Sequence, residues 1–379
     1  MQFAIMECVV TPGGHEIDFD RILVEELQKL GHSVEFYVPE GHHFKWNYGV
    51  PVHEIPGRGI SYQGAHGLKK AVLAARREWH RQGWYRSMYR YARRGDFDAI
   101  IFPSATYRYL RALRISPLKK SPVPVLFLIH GVTPREAGKL NQEAEALKGY
   151  SMIRVGVQTF AAQKLHLIAE KLRVYGPPNY IPRDLSPAEC QREEGSELTF
   201  GFFGQFRKEK NLEEFLRVYI SCQFSRPVKL IVQGATQTPE DAAEFDRIIQ
   251  KYRGKTGIEF WHRPLIGTDW QRGIMSVDTL VMPYGNDRYL YHTSALMSNA
   301  MGCRKTVIAA DNVNPEILAQ YDIGMSFQHG DFDGLKRTLE DFVNTYEEKK
   351  GHYAVELERA YKDFAPSRLA KNIVALAQE

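Results

Sequence analysis

Cysteine is scarce in this sequence: four in 379 residues, at positions 8, 190, 222 and 303, with no Cys-x-x-Cys pair. That spacing excludes a disulfide framework and a zinc ribbon, and it fits a reducing compartment. Long apolar runs are also missing. No stretch approaches the roughly 20 residues that a membrane-crossing helix needs. The opening M-Q-F-A-I-M-E-C-V-V has no basic n-region, so neither a signal peptide nor a spanning segment is expected, and the expected location is the cytoplasm. A G-x-G-x-x-G fingerprint is absent, which weakens a nicotinamide dinucleotide reading. No bound metal or cofactor is expected.

What is present is an ordinary globular composition, 44% apolar and 25% charged. The length favours two or three domains. Charge is distributed unevenly. Residues 1–180 hold 25 Lys and Arg against 16 Asp and Glu, and the remainder 25 against 29. A basic first half and a slightly acidic second half suggest two domains with different partners.

The pattern alternates strand and helix. Gln2 to Val10 reads as a strand, Thr11 to His15 as a tight loop containing Gly13 and Gly14, and Ile17, Ile22, Leu23, Leu27 and Leu30 recur at helical spacing. Glycine at a first β-to-α turn lets a ligand approach the backbone, although a plain turn explains it equally well. Ser33–Val38, Val52–Ile55, Ala99–Phe102, Pro124–Ile129 and Met152–Val157 read as further strands. A helix is expected over Tyr107–Ile115, and another from the end of the Met152 strand to about Leu172, with Val174–Asn179 closing the half as a turn. His130 ends its strand, where side chains in such sheets face a ligand; a lone histidine is more often structural.

The stretch Leu68–Arg94 stands apart. It holds nine basic residues and one acid, Glu78, interleaved with Trp79, Trp84, Tyr85, Tyr89 and Tyr91. Such a helix can lie on an anionic membrane surface. The plainer alternative is a helix packed by Leu68, Val72, Ala75 and Trp79 with a solvated basic face. Nucleic acid is not an expected partner.

A polar linker is expected over residues 181–197. After it, Leu198–Gly204 starts a second sheet, followed by a basic loop, Gln205 to Asn211, with Arg207, Lys208 and Lys210. A strand-to-helix loop with three cations suits an anion such as a diphosphate. Val228–Gln233, ending at Gly234, and Ile258–Trp261, leading to Arg263, are further strands. Thr279–Met282 then opens a polar loop, Tyr284–His292. Thr293 or Ser294 is placed to cap a helix to about Gly302, with a strand over Lys305–Ala310. A helix start at the carboxyl end of a parallel sheet suits a phosphate. Asp331–Phe342, His352–Phe364 and Ser367–Ala377 read as helices.

The order resembles a GT-B glycosyltransferase, of the large retaining family that includes sucrose synthases and phosphatidylinositol mannosyltransferases. Gly13-Gly14 resembles the family's N-terminal glycine loop. Gly204–Asn211 resembles its "G-R-x-x-x-x-K-G" loop, and N-A-M-G-C-R-K-T-V-I-A from Asn299 resembles "E-A-M-A-x-G-x-P-V-I-A". The resemblance implies an α/β fold of two doubly wound, Rossmann-like domains facing across a cleft. These would be an acceptor domain (1–180), a nucleotide-sugar domain (198–360) and a terminal helix (361–379) crossing back to the first.

It also implies a nucleotide-diphosphate sugar as co-substrate, a glycan or lipid-linked acceptor, retention of configuration, no metal, and a place in polysaccharide biosynthesis. The donor is expected to meet Gly13, Gly14, Gln205, Arg207, Lys210, Gly234, Arg263, Tyr284, Tyr291, Thr293, Ser294 and Asn299, and His130 to contact the sugar. The family's two glutamates, eight residues apart, fall on Tyr291 and Asn299, and its arginine on Gln205. Catalysis would then rest on His130 and Asn299. A sugar-nucleotide epimerase and an inactive sugar-nucleotide-binding protein are the alternatives. If the acceptor is lipid-linked, the protein would sit peripherally on the inner face of the membrane.

Overall fold

The computed structural model describes residues 1–9, 14–42, 47–60, 66–190 and 197–379. Contacts divide the chain into two compact units, Met1–Pro177 with Pro366–Glu379, and Pro178–Ala365.

The first unit runs β1 (Gln2–Met6), α1 (Gly14–Lys29), β2 (Ser33–Pro39), β3 (Val52–Ile55), α2 (Gly67–Arg94), β4 (Ala99–Ala105), α3 (Tyr107–Leu113), β5 (Val125–His130), α4 (Pro134–Ala146), β6 (Ile153–Gln158) and β7 (Leu172–Tyr175). Its sheet is parallel throughout, in the order β3-β2-β1-β4-β5-β6-β7. Strands covered by helices on both faces must be apolar along their length, as in β5, buried from Val125 to Ile129. The strand order reverses between β1 and β4, and ligands of such sheets bind at the carboxyl ends there.

The second unit begins with a short α5 (Pro187–Cys190). It continues β8 (Leu198–Phe202), α6 (Leu212–Tyr219), β9 (Val228–Gly234), α7 (Pro239–Tyr252), β10 (Ile258–His262), α8 (Thr268–Met275), β11 (Thr279–Met282), α9 (Ala295–Gly302), β12 (Thr306–Ala310), α10 (Pro315–Gln320), β13 (Gly324–Phe327) and α11 (Phe332–Asp363). Its parallel order, β10-β9-β8-β11-β12-β13, repeats the design, with the reversal between β8 and β11. The last helix, α12 (Pro366–Gln378), returns to the first unit and packs on α1, β5 and β6. The chain passes between units at Pro177/Pro178 and Ala365/Pro366. Asn179, fully buried, ties these crossings together: its amide donates to the Phe364 carbonyl (2.8 Å) and its Nδ2 to that of Tyr361 (3.0 Å).

Several expectations are corrected. The segment expected to be helical up to Leu172 holds only a 3-10 turn, Ala162–Lys164, before the edge strand β7, which also takes up part of the expected turn at Val174–Asn179. Tertiary hydrogen bonds override its helical spacing, because Asn141 Oδ1 accepts from the amides of Ile168 (3.0 Å) and Ala169 (3.1 Å). The first strand stops at Met6 instead of Val10. The helices expected at Asp331–Phe342 and His352–Phe364 are one continuous helix, α11. The sequence reading passed over α4, α8, α10 and β13. The packing proposed for α2 is inverted: Leu68, Val72, Ala75 and Trp79 are exposed, and His80, Arg81, Trp84, Tyr85 and Met88 are buried. The segment 181–190 is held by the second unit, through Gln271 Oε1, which accepts from the amides of Arg183 (2.8 Å) and Asp184 (3.0 Å).

At Gly302, the end of α9, a Cβ would lie 2.3 Å from the Tyr180 carbonyl oxygen. Backbone cannot yield as a side chain can, so Gly302→Ala is expected to destabilise the second unit by about 2 kcal/mol or more. An unchanged urea midpoint would contradict this close approach.

Candidate anion site at the carboxyl end of the second sheet

The site is built from three loops that follow β8, β9 and β11. Gly204 takes φ +112°, a conformation that suits glycine, and its amide donates to Gln233 Oε1 (2.9 Å). Gln233, buried at the end of β9, donates from Nε2 to the Arg263 carbonyl (2.5 Å). The Phe206 amide donates to the Ala235 carbonyl (2.8 Å), so the loop after β8 is sewn to the loop after β9. One 3-10 turn, Lys208–Lys210, then ends at Asn211, whose φ of 54° redirects the chain into α6. Asn211 Nδ2 donates to the Pro283 carbonyl (3.0 Å), and the Gly285 amide to that of Glu209 (2.8 Å). The two loops flanking the reversal point are thereby locked together.

That lock buries Lys210. Its side chain is 7% exposed; Nζ lies 3.4 Å from the Phe203 carbonyl oxygen and 5.3 Å from the centre of the Tyr284 ring. Among the described residues it forms no ion pair with a carboxylate, and Glu209 favours its charged form only through its field. Burial, reinforced by the nearby Arg207 guanidinium, pulls its ammonium from 10.5 down to about 8. Arg207 is half-exposed, contacts Gln205 Oε1 (3.3 Å), and pairs loosely with Glu209 (3.7 Å). A buried cation without a counter-charge is costly unless an anion supplies it. Gly204 is constrained from the same side, because a Cβ there would stand 3.0 Å from Lys210 Nζ. Gly234, at the end of β9, backs onto the Phe245 ring.

The loop after β11 is held by a residue the sequence reading missed. Asn314, buried with φ 44°, uses its whole carboxamide: Oδ1 accepts from the Ser294 amide (2.8 Å), and Nδ2 donates to the carbonyls of Tyr289 (2.9 Å) and His292 (3.0 Å). This corrects the expectation for Ser294. Its amide is already engaged, and neither Thr293 nor Ser294 caps α9 with its side chain. Thr293 Oγ1 is buried without a hydrogen-bond partner. Tyr284 is buried, with its ring 5.0 Å from that of Tyr289, while Tyr291 is half-buried.

Asn299 is buried in α9, with Oδ1 accepting from Trp270 Nε1 (3.1 Å) and Nδ2 donating to the Ala295 carbonyl (2.8 Å). Its amide thus joins α8 to α9, leaving one lone pair and one N–H for anything else. The Arg263 side chain is exposed, 5.9 Å from the Trp261 ring centre.

In the first unit, His130 ends β5 with Nε2 2.7 Å from the Pro103 carbonyl oxygen and its ring edge-on to Phe19. Gly13 lies outside the described residues, and Gly14 is the first residue of α1. Two further acids, absent from the sequence reading, stand by the end of β1. Glu7 is buried, and burial raises its carboxyl to about 8; Asp20 is buried and raised as well, with neither oxygen hydrogen-bonded. The signal was available, since Asp20 sits three residues from both Ile17 and Leu23 on the apolar face of α1.

No protein-family model matches the chain, and no curated protein matches its sequence. Solved structures do resemble it. Anabaena Alr3699/HepE in complex with UDP and glucose is 15% identical, with TM-score 0.62, covering 99% of this chain and 98% of that one. Sucrose-phosphate synthase from Thermosynechococcus elongatus is 14% identical, with TM-score 0.66 and 100% and 98% covered. The catalytic domain of starch synthase IV from Arabidopsis thaliana, bound to ADP and acarbose, is 14% identical, with TM-score 0.67 and 100% and 99% covered. The chain has the two-domain α/β fold of the GT-B glycosyltransferases.

Two outcomes are expected. Asn314→Ala removes three hydrogen bonds and leaves the Ser294 amide without its acceptor, at about 2–3 kcal/mol, measurable by chemical denaturation. Lys210, held near 8, binds its proton more weakly than an unfolded lysine does, so the fold gains stability as pH rises from about 8 towards 10.5. A diphosphate held by this ammonium would reverse that preference. Its affinity should therefore fall above about pH 8, by up to tenfold per pH unit, and Lys210→Arg should flatten the profile because guanidinium stays charged. A flat calorimetric profile for the unmodified protein over pH 7–9.5 would remove Lys210 from the site.

Proposed function

We propose that this protein transfers a sugar from a nucleotide-diphosphate donor, UDP- or GDP-linked, to a glycan or lipid-linked acceptor. The observation that carries the reading is Lys210: a buried cation that pairs with no carboxylate among the described residues, at the reversal point of the second sheet. The fold supports it, since similar structures hold UDP with glucose in one case and ADP in another.

In this reading Lys210 and Arg207 neutralise the diphosphate as it leaves, which is electrostatic stabilisation of the departing group. Positive charge from side chains fills the role a metal takes elsewhere, so the proposal assigns no metal. Gln205, the Gly204 backbone and Gly234 border the diphosphate, and the Arg263 backbone approaches the base. Tyr284, Tyr291 and Thr293 line the loop that meets the sugar, with Asn299 offering its remaining N–H to the ribose. The first unit is assigned the acceptor, and His130, Gly13 and Gly14 are the residues assigned to the transferred sugar and donor. Retention of configuration and a role in polysaccharide biosynthesis complete the reading. A lipid-linked acceptor would keep the protein peripherally at an anionic membrane surface.

One observation favours a second reading, a binding protein without turnover. The Asn299 carboxamide already makes two of its four hydrogen bonds, to Trp270 and Ala295, and neither it nor Tyr291 brings a carboxylate.

A thermal-shift screen of UDP, GDP, ADP and their sugars separates these. The matching donor should raise the melting temperature, and Lys210→Ala should erase the rise. Release of nucleoside diphosphate in the presence of membrane extract marks a transferase. Binding without release marks the second reading, and a new sugar nucleotide formed without acceptor marks an epimerase. No shift with any nucleotide would overturn the donor site.

A further inference from the structure

On the first unit, the helices that follow β4 and β5 lie side by side and carry cations that no acid claims. Tyr107 opens α3 just beyond β4, and α4 follows β5; the two strands pair, and the two helices pack on each other. Tyr107 is 7% exposed. Its phenol oxygen accepts from Arg108 Nε (3.4 Å) and, across the helix pair, from Lys139 Nζ (3.4 Å). Lys139 Nζ also stands 5.1 Å from the centre of the Tyr107 ring. The hydrogen bond from Arg108, followed by that from Lys139, draws the phenol below its ordinary range, a sign of positive potential at this oxygen.

The acids of these two helices are engaged elsewhere. α3 contains none. On α4, Glu136 closes the capping box with Thr133, Glu143 takes Arg111 (2.6 Å) and Arg114 (3.3 Å), and Glu145 takes Lys148. Arg111, whose guanidinium lies 5.4 Å from the Tyr107 ring centre, is therefore already matched. Arg108 and Lys139 pair with no carboxylate among the described residues and share one neutral oxygen instead. That arrangement serves neither cation well. Like charges repel across the shared atom. Both contacts are also long beside the roughly 2.7–2.9 Å of a charge-assisted bond. An anion set between the two would replace the repulsion with two short bonds.

We propose that Tyr107, Arg108 and Lys139 bind the phosphate monoester of an acceptor sugar. Three oxygens on that group match three donors: the Arg108 guanidinium, the Lys139 ammonium and the Tyr107 hydroxyl, which can donate once the cations turn to phosphate. A phosphate monoester carries close to two negative charges at neutral pH, one for each cation; a carboxylate brings only one. The position suits an acceptor. Tyr107 stands at the carboxyl edge of the first sheet, beyond the strand that flanks the reversal of order, and His130 ends the neighbouring strand on the same edge. The word acceptor rests on the proposed sugar transfer, which this site narrows to a phosphorylated sugar. The anion site itself is built by the first unit alone and shares no residue with the donor site.

The test is calorimetric titration of the whole protein with glucose-6-phosphate, fructose-6-phosphate and mannose-6-phosphate at constant ionic strength, with glucose and inorganic phosphate for comparison. At least one sugar phosphate should bind, and more tightly than either comparison compound. Arg108→Gln and Lys139→Gln should each weaken that binding about tenfold or more, from the loss of one hydrogen bond to a charged group. Lys139→Arg keeps the charge and should retain binding. Arg108 is exposed and Lys139 half-buried, and the melting temperature checks that each variant folds. Absence of binding by every sugar phosphate overturns the proposal, as does binding that neither charge-removing variant weakens. Inorganic phosphate held as tightly as the sugar phosphates assigns the site to a free anion and overturns the acceptor role. UDP-induced thermal shifts, measured in parallel, report the donor site separately, so either reading can fail without the other.

Discussion

A lysine ammonium buried among a backbone carbonyl, a tyrosine ring and another cation is the constraint around which the second unit is arranged. Lys210 gains little from the Phe203 carbonyl at 3.4 Å, and Arg207 nearby makes its charge harder to keep. Left to relax, such a side chain would turn towards water. It does not, because Gly204, Asn211 and the turn between them fix the path of the chain, and the loops after β9 and β11 are hydrogen-bonded to that path. The fold thus sustains an electrostatic cost at the one place where a parallel sheet reverses its winding and a ligand can enter. Sites that hold strain or unpaired charge are where binding energy is recovered when the ligand arrives.

The same economy recurs in the supporting residues. Gln233 and Asn314 are amides rather than charges, and each is consumed in linking loops from different strands. An amide can donate and accept at once, so a single buried side chain fixes two loops with no ion to desolvate. Asn314 goes further: by accepting from the Ser294 amide it occupies a donor at the start of α9. The first unit differs. Near the end of its β1 it keeps acids, Glu7 and Asp20, whose carboxyls burial drives towards the neutral form. Two sheets that share the same reversal of strand order therefore carry opposite chemistry at corresponding ends.

Much of the secondary structure was legible because buried parallel strands are short apolar runs and helices repeat every 3.6 residues. Val52–Ile55 and Thr279–Met282 have the limits their composition suggests. Failures occurred where long-range contacts decide. Asn141 holds residues 166–169 away from a helix their spacing allows, and α4, α8 and α10 are short or polar enough to pass as loops. In the candidate site, the cations after β8 could be read from composition. The burial of Lys210 could not, since the Tyr284 ring reaches it from the loop after β11. Asn314 gave no signal at all: nothing in the run N-V-N-P-E says that its side chain points back to residues 289–294.

By itself the sequence determined the alternation of strand and helix, and with it two parallel sheets, because that pattern is local and set by which residues prefer water. It also determined that the first half is basic and that Leu68–Arg94 is a helix. Only the tertiary structure decided which face of that helix is covered. Periodicity identifies an apolar row, but whether the row meets the core depends on what else is available to pack there. Arg81, Trp84 and Tyr85 took that place on α2, leaving Leu68, Val72 and Trp79 to the outside. Tertiary structure likewise decided that Lys210 is buried rather than solvated, since burial belongs to the neighbours a side chain acquires and not to its own sequence.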